Sequence, residues 1–111
     1  MKRGEVWWAS LPRPAGRRPV VLLSRDESYQ VRNLVTIAPI TTRIRNIPVE
    51  VRLGPSDGLP RNCAINLDTI TTIPKTLLVD RITLLNPEKI HALNEAIKFA
   101  LDLSRPLTII K

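Results

Sequence analysis

The sequence predicts a mainly β protein with one C-terminal α-helix, and three features carry that prediction. Short apolar runs rich in Val, Ile and Trp recur between clusters of Pro, Gly, Asn and Asp, the pattern of successive strands and turns. Val49-Glu50-Val51-Arg52-Leu53 alternates apolar and charged residues, the signature of a strand with one buried face. After Asn86-Pro87-Glu88 the apolar spacing changes to that of a helix.

The first predicted strand is Glu5 to Leu11, where Val6, Trp7 and Trp8 favour extended backbone and Pro12 marks the end. Pro12 to Arg17 is a loop. Val20 to Leu23 is a continuous apolar run, too short for an independent helix, so it is expected as a buried strand with Pro19 at its start. The polar stretch Arg25 to Asn33 separates it from a third strand, Leu34 to Ala38, which Pro39 is expected to terminate before a loop from Thr41 to Asn46. Val49 to Leu53 forms a half-exposed strand, with Val49, Val51 and Leu53 inward and Glu50 and Arg52 outward. Gly54 to Pro60 is dense in turn residues, and Cys63 to Leu67 and Thr69 to Ile73 resume strand character. Asn86 then supplies an N-cap, Pro87 the first helical position and Glu88 an acid near the helix N-terminus. The helix is expected to run to about Leu103, with Ile90, Leu93, Ile97, Ala100 and Leu101 on one face and His91, Glu95, Lys98 and Asp102 on the other. At 111 residues the chain is expected to form one domain, 1–111.

Seventeen Lys and Arg against ten Asp and Glu leave a formal net charge of +7, which favours a polyanionic partner, nucleic acid first, unless it serves solubility alone. The excess lies in residues 1–61, with eleven basic and five acidic groups, and twelve of the seventeen cations are Arg, whose planar fork suits bidentate phosphate contacts. Cys63 is the single cysteine, so no internal disulfide and no multi-thiolate metal site can form. No apolar run approaches the roughly 20 residues of a membrane helix, and Met1-Lys2-Arg3 leads into a strand instead of a signal-peptide core. A cytoplasmic location with no membrane partner is expected.

Two blocks carry candidate chemistry. In Gly16-Arg17-Arg18-Pro19-Val20-Val21-Leu22-Leu23-Ser24 a guanidinium stands just before an apolar run, and in Ala38-Pro39-Ile40-Thr41-Thr42-Arg43 two hydroxyls stand just after one. Such pairs suit contact with a nucleic-acid backbone. Each also has an ordinary explanation: Arg18 as a solvated or ion-paired surface charge, Thr42 as a turn or capping residue. Arg17, Arg25, Arg43 and Arg45 either line a phosphate track or are solvated. His91 is expected on the exposed helix face beside Glu95, and Cys63 in packing. Trp7 and Trp8 point to opposite strand faces, so one belongs to the core and the other is free to stack on a base or to pack at a dimer interface.

Taken in order, Gly4-Glu5-Val6-Trp7-Trp8, Arg18-Pro19-Val20-Val21-Leu22-Leu23-Ser24, Ala38-Pro39-Ile40-Thr41 and Asn66-Leu67-Asp68-Thr69-Ile70-Thr71-Thr72-Ile73-Pro74-Lys75 resemble the MazF/PemK family of toxin endoribonucleases, and the helix ending in Ala100-Leu101-Asp102-Leu103 matches too. The resemblance implies an SH3-like β-barrel with a C-terminal helix, CcdB/PemK-like in fold. It implies a homodimer that binds single-stranded RNA and a cognate antitoxin that occupies the same groove. It also implies metal-independent, sequence-specific cleavage by the ribose 2′-OH, leaving a 2′,3′-cyclic phosphate and a 5′-OH and so inhibiting translation, with no cofactor. By matching position the catalytic residues are Arg18 and Thr41; Arg17, Arg25, Thr42, Arg43, Asp68 and Thr69 are expected to contact the RNA around them.

Physical chemistry divides the roles. Arg18 can hydrogen-bond the charge that builds on phosphoryl oxygens or protonate the departing 5′-oxygen, but a guanidinium is a poor proton abstractor. Thr41 can orient the phosphate but is no base at neutral pH, so the acceptor of the 2′-OH proton stays open. The chain departs from many family members in reading Thr69-Ile70-Thr71-Thr72 for Gln-Ile-Arg-Thr, in a shorter loop from Leu11 to Arg17, and in an extension, Arg105 to Lys111, expected as an edge strand or partner contact. Two other readings compete: a noncatalytic toxin of the same fold that captures a protein target, as the gyrase poison CcdB does, and a noncatalytic RNA-binding module.

Overall fold

A computed structural model describes residues 1–103 of the chain. Its seven strands are β1 (Glu5–Ser10), β2 (Arg17–Leu22), β3 (Leu34–Thr41), β4 (Glu50–Leu53), β5 (Cys63–Asn66), β6 (Thr71–Pro74) and β7 (Leu78–Leu84). A four-residue helix, α1 (Ser28–Val31), lies between β2 and β3, and α2 (Pro87–Ala100) follows β7. All strand pairings are antiparallel, in the order β4-β5-β3-β2-β1-β7, with β6 pairing β3 beside that path. The fold is therefore mainly β with a C-terminal helix, as expected. Among the described residues β4 and β7 end the path without pairing each other, so "barrel" applies only loosely.

Both faces of the sheet carry a core, which is why the central strands read as unbroken apolar runs. Val20 and Leu22 pack with Ala9, Tyr29, Val35 and Ile37, while Val21, one residue out of phase, packs with Val6, Ala38, Ile40 and Ile65. The second of these cores receives α2 through Leu93 and Ala96. Asn86 caps that helix as expected: its side chain accepts the Lys89 N–H at 2.8 Å, with Pro87 opening the first turn. Gly4 sits with φ +91°, a backbone conformation that favours glycine, and a Cβ there would press on the end of the Ile90 side chain where α2 closes over the start of β1. Arg3 ties the same corner, its Nη2 donating to Asn94 Oδ1 at 2.9 Å.

Several elements differ from expectation. β2 begins at Arg17, so Arg18 lies inside a strand, opposite Ala9 of β1. β3 runs through Pro39 to Thr41, placing Thr41 at the last strand position. Pro39 is tolerated because β3 changes neighbours there: β6 pairs it as far as Ile37 and β5 from Ile40, so residue 39 belongs to neither ladder. β7 was not marked by a distinct pattern, because Asp80 and Arg81 interrupt its apolar residues. Finally α2 ends at Ala100, and Leu101, expected on the buried face, is 54% exposed where the chain turns through Asp102 at φ +58°. The predicted extension from Arg105 to Lys111 lies outside the described residues. Among the described residues no helix is long and apolar enough to cross a membrane.

Candidate active site

The site is a consequence of strand divergence. β2 and β3 pair from Leu22↔Ile37 only to Val20↔Pro39; beyond that, Arg17 to Pro19 stay with β1 whereas Ile40 and Thr41 pair with β5. The two strand ends splay, and a cleft opens between them. Arg18 and Thr41 stand on its opposite lips and line both cavities that flank it.

One cavity, of about 280 Å³, is formed by Trp8, Arg17, Arg18, Pro19, Ile40, Thr41, Thr42, Leu59, Pro60, Arg61 and Cys63. The other, of about 350 Å³, is more polar and is formed by Arg18, Pro39, Thr41, Arg43, Arg45, Asn66 and Thr69. The structure thus brings together Arg18, Thr41, Arg17, Thr42, Arg43 and Thr69 of the sequence-derived set. Arg25 stands apart, paired with Glu27 at 3.4 Å in a separate depression with Ser24 and Arg32. It follows the far end of β2, seven residues from Arg18, roughly 20 Å along an extended chain. Asp68 is exposed in the 3-10 turn Leu67–Thr69, its N–H donated to Asn66 Oδ1 at 3.0 Å, and it lines neither cavity. Sequence reasoning missed Arg61 and Asn66, whose neighbourhood depends on the register Thr41↔Ala64.

Arg18 is unusual in its hydrogen bonding. Its Nε is buried and has no hydrogen-bond partner among the described residues. A donor kept dry and unpaired costs stability, and such atoms point to a ligand that completes them. Thr41 Oγ1 accepts the N–H of Arg43 at 3.0 Å, which turns the chain out of β3 and holds Arg43 beside the cleft. Neither Arg18 nor Thr41 sits on a flexible tip; both are anchored in ladders.

The loop after Thr41 is organised by a carboxylate. Expected on the exposed face of β4, the Glu50 side chain is instead only 1% exposed. It accepts the N–H of Arg45 at 2.9 Å, the N–H of Asn46 at 3.0 Å and the Arg45 Nε at 3.1 Å. Burial raises its pKa, but these hydrogen bonds and the Arg45 charge outweigh that and hold it below the ordinary value. Its stabilising effect is therefore complete above about pH 4.3 and is lost as pH falls through the lower folded value. Thermal unfolding followed from pH 7 down to pH 3 is expected to show Tm falling by several degrees below about pH 4, and Glu50→Gln is expected to flatten that fall.

Cys63 lies at the base of the first cavity with its pKa raised, chiefly by burial and further by Asp57, so it stays a thiol at neutral pH and serves packing. Among the described residues no three His, Cys, Asp or Glu side chains gather as a metal site. His91 is exposed, as expected.

An antiparallel sheet backed by a C-terminal helix is an architecture shared with bacterial toxins. The chain superposes on the Mycobacterium tuberculosis toxin MazF-mt6 with a TM-score of 0.82 at 34% identity, covering 88% of this chain and 96% of that one. It superposes with a TM-score of 0.84, at 30% identity, on an endoribonuclease in complex with its cognate antitoxin from Mycobacterial species, covering 96% of this chain and 99% of that one. Residues 2–101 match the family model of the PemK-like, MazF-like toxin of type II toxin-antitoxin systems. The chain belongs to that family. Among its relatives, probable endoribonuclease MazF5 of M. tuberculosis (strain ATCC 25618 / H37Rv) is 42% identical over 104 residues, 93% of this chain and 94% of its own length. Endoribonuclease EndoA of Bacillus subtilis (strain 168) is 32% identical over 111 residues, 93% of this chain and 96% of its own length.

Proposed function

We propose that the protein is a cytoplasmic endoribonuclease toxin that cleaves single-stranded RNA at the cleft between β2 and β3, held inactive by a cognate antitoxin and released to inhibit translation. The observation that carries this is the convergence of Arg18, with its dry unpaired Nε, and Thr41 on one cleft ringed by arginines. The endoribonuclease names of its relatives support the activity, and the antitoxin-bound structural neighbour supports the partner. The active unit is a homodimer, as the family resemblance implies.

In the proposed reaction the ribose 2′-oxygen bonds to phosphorus while the bond to the 5′-oxygen breaks; the 2′-OH loses a proton and the 5′-oxygen gains one. The products are a 2′,3′-cyclic phosphate and a 5′-OH. Arg18 donates to the non-bridging oxygens as their charge grows, which is where fixed donors lower a barrier most. Thr41 donates to the same phosphate and fixes its orientation. Arg17, Thr42, Arg43 and Thr69 extend the contacts along the strand; Arg25 and Asp68 lie outside this track.

Purified protein incubated with mixed-sequence RNA in excess EDTA should yield 2′,3′-cyclic phosphate and 5′-OH ends. Binding without cleavage would instead favour an RNA-binding module, and capture of a topoisomerase subunit with neither activity would favour a protein-directed poison. Thr41→Val is expected to lower the cleavage rate by about 10- to 100-fold, since it removes one phosphate donor and frees the Arg43 N–H. Thr41→Ser, which keeps both bonds, is expected to retain most of the rate.

A further inference from the structure

The cavity on the Trp8 side of the cleft offers more than phosphate binding requires. Its floor is apolar, made by Ile40, Leu59 and Cys63, all buried. One wall is the Trp8 indole, and Arg17, Arg18 and Arg61 add cations. The Arg17 guanidinium stands over the Trp8 ring, 4.9 Å from its centroid, and pairs with Asp80 at 3.7 Å. Trp8 lies opposite both Pro19 of β2 and Asp80 of β7 in the sheet, so its backbone is paired on both sides, which fixes where the indole leaves the strand. Trp7, by contrast, is committed elsewhere: its Nε1 donates to Glu5 Oε1 at 2.9 Å and it packs in the opposite core.

We propose that this cavity is a nucleobase subsite, in which an unstacked RNA base lies on Trp8 in the place Arg17 occupies in the free protein. The inference rests on the nuclease reading above: Arg18 and Thr41 line this cavity as well as the cleft, so the base belongs to a nucleotide adjoining the cleaved bond. A flat π-surface over an apolar floor fits a base and not a free phosphate, while the arginines match the phosphates on either side of that base. Displacing Arg17 is easy, because both members of its pair with Asp80 are more than half exposed and such pairs contribute little. Once displaced, Arg17 turns its charge to the flanking phosphate.

The test is an abasic walk. An RNA that the protein cuts is made with 2′-deoxyribose at the cleaved position, so that it binds but is not cleaved, and a single abasic residue is moved through the positions around that bond. Affinities are measured for the wild type, Trp8→Phe and Trp8→Leu. For the wild type, one position next to the cut is expected to lose about ten-fold in affinity when its base is removed. In Trp8→Leu that penalty should disappear, the intact RNA binding no better than the abasic one, and Trp8→Phe should keep most of it. A penalty that persists in Trp8→Leu, or none in the wild type, overturns the subsite. So does a Trp8→Leu protein that weakens abasic and intact RNA equally. The wild type still cleaving while showing no penalty removes the subsite and spares the nuclease; RNA neither bound nor cut removes both.

Discussion

Arg18→Ala is expected to lower RNA cleavage by on the order of 10²- to 10³-fold while leaving the protein about as stable as before. The two halves of that expectation have one origin. The Arg18 Nε is buried without a partner among the described residues, so the folded state carries an unmet donor that truncation relieves. Such a donor costs about 1–3 kcal/mol, which offsets the packing lost with the aliphatic stem. Without a phosphate present, then, Arg18 contributes little to folding. With a phosphate in the cleft, the role proposed for its fork is to donate to the developing charge. Arg18→Lys restores charge without the fork and is expected to recover only a small part of the rate. Initial rates on a defined RNA, with thermal unfolding of the same preparations, check both halves. Loss of activity and stability together would mark Arg18 as structural.

Leu93→Ala is expected to destabilise the fold by about 3 kcal/mol, within the range for buried leucines. Leu93 is 0% exposed and, with Ala96, joins α2 to the core that contains Val51, Leu53 and Leu67. Ala96 beside it is too small to close the gap, and α2 is held at its start by the Asn86 cap and at mid-helix by the hydrogen bond from Arg3 to the Asn94 side chain. The cavity therefore persists instead of collapsing. Denaturant unfolding should show a lower midpoint with an unchanged slope. α2 packs chiefly on β4 and the turn Leu67–Thr69, away from the ladder positions that carry Arg18 and Thr41, so RNA cleavage by the folded fraction should be close to that of the wild type.

Those two residues also mark what the sequence made legible. Leu93 was readable because helical periodicity and an Asn-Pro start are local signals, and the same is true of the alternation through Val49, Val51 and Leu53. The candidate pair was nameable from order and resemblance, but its setting was not. Arg18 looked like a residue before a strand and Thr41 like one after a strand; each is in a ladder, and the cleft exists because β3 changes partners at Pro39. That exchange is a matter of long-range register, which composition and period do not encode. Glu50 shows the same limit: alternation placed it outward, yet it turns under the loop to collect two backbone N–H groups and Arg45. Arg25 and Arg43 are equivalent as charges in the sequence, and only the path of β2 and β3 separates them.

The most direct measurement is a crystal structure of the protein with an RNA whose cleaved position carries 2′-deoxyribose. One phosphodiester is expected to lie in the cleft between β2 and β3, with oxygens about 3 Å from both the Arg18 guanidinium and the Thr41 hydroxyl. An RNA bound with its scissile phosphate on another surface, touching neither residue, would contradict the account.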